Sequence, residues 1–140
     1  MDNRHPKYVT RSAVEGLVEK IKLPSPSEYT QDWEYEVADS NRVAEFLHAY
    51  ENMDLNLEEK FALMIIIIES YNDAISENKT EKNIAALIKY HLTKDINIHI
   101  NTIYYWAKLD EMDIENVFAI TPFIREIAAE TKSRQLKQQL

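Results

Sequence analysis

Apolar residues recur along this chain at helical spacing, in short blocks separated by polar linkers. Val14, Leu17, Val18 and Ile21 fall at i, i+3, i+4 and i+7 and share one face of a helix over 12–21. Ser12 and Glu15 form a capping-box pattern at its start, and Pro24 and Pro26 end it. Val43, Phe46, Leu47 and Tyr50 repeat the spacing over 40–51, behind Asp39 or Ser40 as cap. The strongest block is 57–76. Its stripe of Leu57, Phe61, Met64, Ile65, Ile68, Tyr71 and Ile75 is widened by Ala62, Leu63, Ile66 and Ile67. Asn56 and Glu59 fit a second capping box. A helix apolar over most of its circumference belongs at the centre of a fold, with the others around it.

Further along, Ile84, Leu87, Ile88 and His91 line a helix over 81–93, capped by Thr80. Ile96, Ile98 and Ile100 alternate like a strand, but a lone strand would leave its backbone unpaired. Ile100, Ile103, Tyr104 and Ala107 instead predict a helix over 98–109. Asp113 can cap a short helix at 114–119. Thr121-Pro122 opens a last helix carrying Ile124, Ile127 and Ala128, which is expected to fray after 133. Residues 27–38 mix acids with Tyr29, Trp33 and Tyr35 and fit neither period cleanly. The expectation is an all-α fold, one irregular bundle of six or seven helices around 57–76. A single domain spans 1–140, with 134–140 as a frayed tail.

Composition sharpens this picture. A single glycine among 140 residues argues against a sandwich or barrel, which needs many tight turns. The absence of cysteine removes disulfides, thiolate nucleophiles and Cys-based zinc sites, and fits a reducing cytoplasm, the expected compartment. The longest apolar run, Phe61 to Ile68, is far short of the roughly 20 residues of a membrane span. The polar start of the chain does not resemble a signal peptide.

Charge changes the picture more. The net charge is −8, yet residues 1–22 sum to +2 and residues 60–140 to only −1. Residues 23–59 hold one basic residue, Arg42, against ten acids, a net of −9. Such a field repels nucleic acid and anionic membranes and attracts a basic protein surface. Its plainer meaning is a solvated face that keeps a small protein soluble. The acid-free tail, with Lys132, Arg134 and Lys137, could neutralise part of it within the chain or across a dimer.

Candidate chemistry is sparse. Glu45 and His48 form one Glu-x-x-His pair, half of a di-iron carboxylate site that would need a second copy. His91 and His99, with Asp95, could converge on a metal or a proton-transfer site, although His91 lies on an apolar stripe. Glu69 directly follows the isoleucine run and should be partly desolvated, tied to an Arg or Lys of a neighbouring helix, with Arg125 as a candidate partner. No serine lies in a nucleophile elbow. Tyr104, Tyr105 and Trp106 span about 200° of a helix, so at least one must lie at a boundary.

These features point to a non-enzymatic binding module without cofactor or metal. Its contact surface for a basic protein would lie within residues 28–59. Glu28, Asp32, Trp33, Glu34, Tyr35 and Glu36 are the candidate contact residues, acids supplying steering charge and rings supplying buried area. An immunity- or antitoxin-like inhibitor is one concrete form. Self-association as a homo-oligomer, through the aromatic face of 98–109 or the basic tail, is the first alternative. A small enzyme or metal protein using Glu45, His48, His91 and His99 is the second.

Overall fold

The computed structural model describes residues 5–27 and 30–139, the side chains of 82 and 135–139 excepted. Among these residues the chain forms seven α-helices, one 3₁₀ turn and no strand. In order they are α1 (Arg11–Ile21), α2 (Trp33–Glu36), α3 (Val43–Asn52), α4 (Leu57–Ser76), α5 (Lys82–Lys94), α6 (Ile96–Ala107) and α7 (Thr121–Gln139). The 3₁₀ turn spans Ile114–Asn116.

Helix α4 is the axis of the bundle, with α1, α2, α3 and α6 packed on it. Every residue from Phe61 to Ile68 is buried, so the isoleucine run is core on all sides. Asn56 accepts from the Glu59 N–H at 2.8 Å, and Glu59 accepts from the Asn56 N–H at 3.0 Å, closing the expected capping box. Outside α4, helix α7 packs on α5 and α6.

Several boundaries differ from the sequence reading. The cap of α1 is Thr10, whose Oγ1 accepts from the Ala13 N–H, and Ser12 and Glu15 lie within the helix. Asp39 does not cap α3. Its carboxylate accepts from the Asn41 N–H in a local turn, and α3 starts at Val43, after Arg42. Glu81, not Thr80, precedes α5. The alternating isoleucines form the first turns of α6, which starts directly after Asp95 at the end of α5. Asp113 does cap its turn, but only three residues follow. The backbone of α7 is helical through Gln139.

The end of α6 is fixed by α7. The Thr121 hydroxyl donates to the Trp106 carbonyl at 2.8 Å. Arg125 donates to the carbonyls of Ala107, Lys108 and Glu111, so its guanidinium meets three carbonyls at and beyond that helix end. Arg125 is therefore not the partner of Glu69.

Candidate functional site

Helix α2 is only four residues long, too short to be stable alone. It is held by Trp33, which is 5% exposed and donates its indole N–H to the Pro24 carbonyl at 2.7 Å. Trp33 is thus an anchor of the segment and not a surface contact, which corrects its place among the candidate contact residues. Burial of one ring fixes the outward direction of its neighbours: Asp32 and Glu36 are exposed, and Glu34 and Tyr35 are half-buried. Glu28 lies outside the described residues.

The acids of the 23–59 segment divide into two groups. Glu45 is held by Arg42 at 2.6 Å, Glu59 by Lys20 at 2.7 Å, and Glu51 lies 2.8 Å from His91. Among the described residues, Asp32, Glu34 and Glu36, like Asp39, Asp54 and Glu58, have no ion pair. Lys132 and Arg134 are exposed on α7 and form no ion pair with these acids. The single basic residue of the segment, Arg42, is occupied by Glu45.

Beside α2 lies a cavity of about 460 Å³. Asp32, Glu34 and Tyr35 form its α2 wall, and Asn101, Thr102, Tyr105 and Trp106 its α6 wall. Phe61 and Ile65 of α4 contribute apolar surface, and Lys7, Tyr8, Val9 and Gln31 complete the lining. Burial raises the Glu34 carboxyl above its ordinary range, and the charge of Asp32 adds to this. Burial likewise raises the Tyr35 phenol, with Tyr105, Glu34 and Glu69 nearby. Glu69 is itself raised by burial, then by Asp73, as its position after the isoleucine run implied. Two buried polar atoms on the α6 wall residues, Thr102 Oγ1 and Trp106 Nε1, make no hydrogen bond. Tyr104 and Tyr105 are partly exposed, whereas Trp106 is buried.

A second polar cluster sits between α3 and the α5–α6 junction. The Tyr50 hydroxyl lies 2.7 Å from Asp95 Oδ2 and 2.7 Å from His99 Nε2. The carboxylate only accepts, so Tyr50 donates to Asp95 and its oxygen accepts from the His99 Nε2–H. That tautomer leaves Nδ1 of His99 a bare acceptor, and this buried atom has no partner. Burial lowers the His99 pKa to about 3, holding the ring neutral. His91 is buried and pairs with Glu51, and its ring lies 5.0 Å from the Tyr50 ring, tilted by 52°.

The sequence trio His91, Asp95 and His99 is thus gathered in space, but around Tyr50 and Glu51. In the sequence, Tyr50 is marked only as the last member of an apolar stripe. Glu45 and His48 stand apart on the exposed side of α3, where His48 bonds Asn52. The four residues Glu45, His48, His91 and His99 therefore do not converge, and no group of three or more His, Asp or Glu among the described residues could hold a metal.

The α6 wall was not legible as part of a site. Asn101 and Thr102 carry no motif, and only the position of the aromatic triplet hinted at a boundary. No family model matches this chain, and comparison with curated proteins and with solved structures gave no match. No helix among the described residues is long and apolar enough to cross a membrane.

Proposed function

We propose that this is a binding protein, acting in a reducing cytoplasm, whose α2 flank docks a basic protein surface. The observation that supports the reading is that Asp32 and Glu34 at the cavity wall, and exposed Glu36 on the same short helix, remain without ion pairs, while Arg42 and Lys20 are committed to other acids. Trp33 stiffens the flank from beneath, so its charges are displayed with little ordering left to do on binding. Tyr35 is the ring best placed for contact, being half-buried at the cavity wall. An immunity- or antitoxin-like inhibitor of a basic toxin fits this arrangement.

Affinity capture from the native host tests the reading. A basic protein should be retained at low salt and released at high salt, because exposed charge pairs are screened over about 8 Å at physiological ionic strength. A partner of acidic surface, or one whose retention ignores salt, would contradict it.

Self-association is a second reading with its own support. Leu109, Met112 and Ile114 are exposed in the α6–α7 connection, Met112 at 95%. A concentration series by sedimentation distinguishes the two: a constant monomer mass removes this alternative.

A further inference from the structure

We propose that the connection between α6 and α7 docks a basic amphipathic helix of another protein, through Leu109, Met112 and Ile114. This surface shares no residue with the α2 flank, and its role stands apart from the docking proposed there.

The fold leaves these three side chains unused. Leu109, Met112 and Ile114 are 55%, 95% and 64% exposed and fall within six residues. Among the described residues, Met53 and Leu57 are the other large aliphatic side chains left exposed, and neither belongs to the connection. A lone exposed apolar residue is ordinary, whereas a group of them marks an interaction site. Polar groups fix the loop that carries them. The Glu111 N–H donates to the Lys108 carbonyl at 3.0 Å, and the Glu111 carboxylate accepts from the Asp113 N–H at 3.1 Å. The Asp113 carboxylate accepts from the Glu115 N–H at 3.0 Å, and Arg125 holds the carbonyls of Lys108 and Glu111 from beneath. The loop is thus shaped before a partner arrives, which lowers the ordering cost of binding.

Charge selects the occupant. Asp110, Glu111, Asp113 and Glu115 lie between and beside the apolar residues and, among the described residues, have no ion pair. The two cations next to the loop are directed elsewhere. Lys108 Nζ lies 5.0 Å from the Tyr105 and the Phe118 ring centroids, and Arg125 meets backbone carbonyls. An anionic membrane is repelled by such a loop. A second copy meeting it through the same loop would set four acids against four. A helix with one apolar stripe flanked by Lys or Arg answers both features. Its stripe covers the aliphatic side chains, and its cations face the acids. Met112 is unbranched and adapts to the shape of the stripe it meets.

The test is a methyl NMR titration of the full chain, labelled at methionine. Met112 reports the loop, buried Met64 reports the fold, and exposed Met53 at the end of α3 reports unspecific contact. The probe is a leucine–lysine peptide patterned as an amphipathic helix, with its leucine–glutamate counterpart as control. The leucine–lysine peptide should shift Met112 saturably and leave Met53 and Met64 still. The leucine–glutamate peptide should bind at least about tenfold more weakly. Affinities of the variants are read from the anisotropy of the labelled peptide. Leu109→Ser/Met112→Ser/Ile114→Ser should weaken binding at least about tenfold, the worth of burying one such side chain. Asp110→Lys/Glu115→Lys spares the two acids that shape the loop and should weaken binding about tenfold at low salt. No Met112 shift, equal binding of the leucine–glutamate peptide, or affinity unchanged by either set of substitutions overturns the proposal. A Met112 shift that follows the concentration of the chain alone also overturns it, by placing a second copy on the loop. One produced by phosphatidylcholine–phosphatidylglycerol vesicles overturns it by placing a membrane there. A peptide caught by the α2 flank leaves Met112 still, so failure here leaves the salt-dependent capture of a basic protein untouched.

Discussion

His99 is a histidine that the fold keeps from being one electrically. Burial lowers its pKa to about 3, with Lys60 and His91 acting in the same direction and Asp95 against. The unfolded chain protonates this ring near its ordinary value of 6.5, so between 6.5 and 3 the unfolded state binds more protons. The stability His99 contributes is complete above 6.5 and is lost as pH falls through that window, at up to about 1.4 kcal/mol per pH unit. Glu34 and Glu69 have raised values and oppose this, since their folded forms bind protons more readily. The difference between wild type and His99→Gln isolates the ring. Denaturant melts from about pH 6.5 to 4.5 should show the wild type losing stability more steeply. Parallel curves would show that the ring titrates normally. Gly16 offers a second test at this scale. It sits within α1, where alanine would ordinarily gain up to about 1 kcal/mol. A Cβ there would run into the Glu59 carboxylate, which holds both Lys20 and the start of α4. Gly16→Ala should therefore destabilise, by about 2 kcal/mol, through the displaced buried charge. A raised urea midpoint would refute that.

Among the elements, α4 and α2 stand at opposite ends of legibility. The bounds of α4 follow from the sequence because its cap, its stripe and its length all agree, and the capping box forms as the residues imply. Helix α2 could not be read, because four residues carry no period. What defines it is tertiary: a buried indole and its bond to Pro24, nine positions away. The same limit hid the start of α6, where isoleucines that alternate like a strand share a helical turn directly after α5. If Trp33 anchors α2, Trp33→Ala should cost about 3–5 kcal/mol in thermal or denaturant melts, as for a core aromatic. Trp33→Phe should keep most of the packing and lose only the hydrogen bond, about 1 kcal/mol. A neutral Trp33→Ala would instead mark Trp33 as a surface contact.

For the molecule as a whole, the sequence yields the all-helical bundle and the uneven charge, but not which acids are free. Glu45, Glu51 and Glu59 look like their neighbours in the sequence, yet the fold brings each a partner, from Arg42, His91 and Lys20. Two of those partners come from other helices, which no local pattern shows. The candidate Glu69–Arg125 pair does not form for the same reason: Arg125 meets three carbonyls at and beyond the end of α6. On the proposed reading, the docking charge is the set of unpaired carboxylates on the α2 flank, exposed Asp32 and Glu36 with half-buried Glu34. Binding of the captured basic partner to Asp32→Lys/Glu34→Lys/Glu36→Lys, measured beside wild type by calorimetry at low salt, tests it most directly. Association should be lost while helical content and melting stay nearly unchanged. A triple variant that binds as tightly as wild type would contradict it.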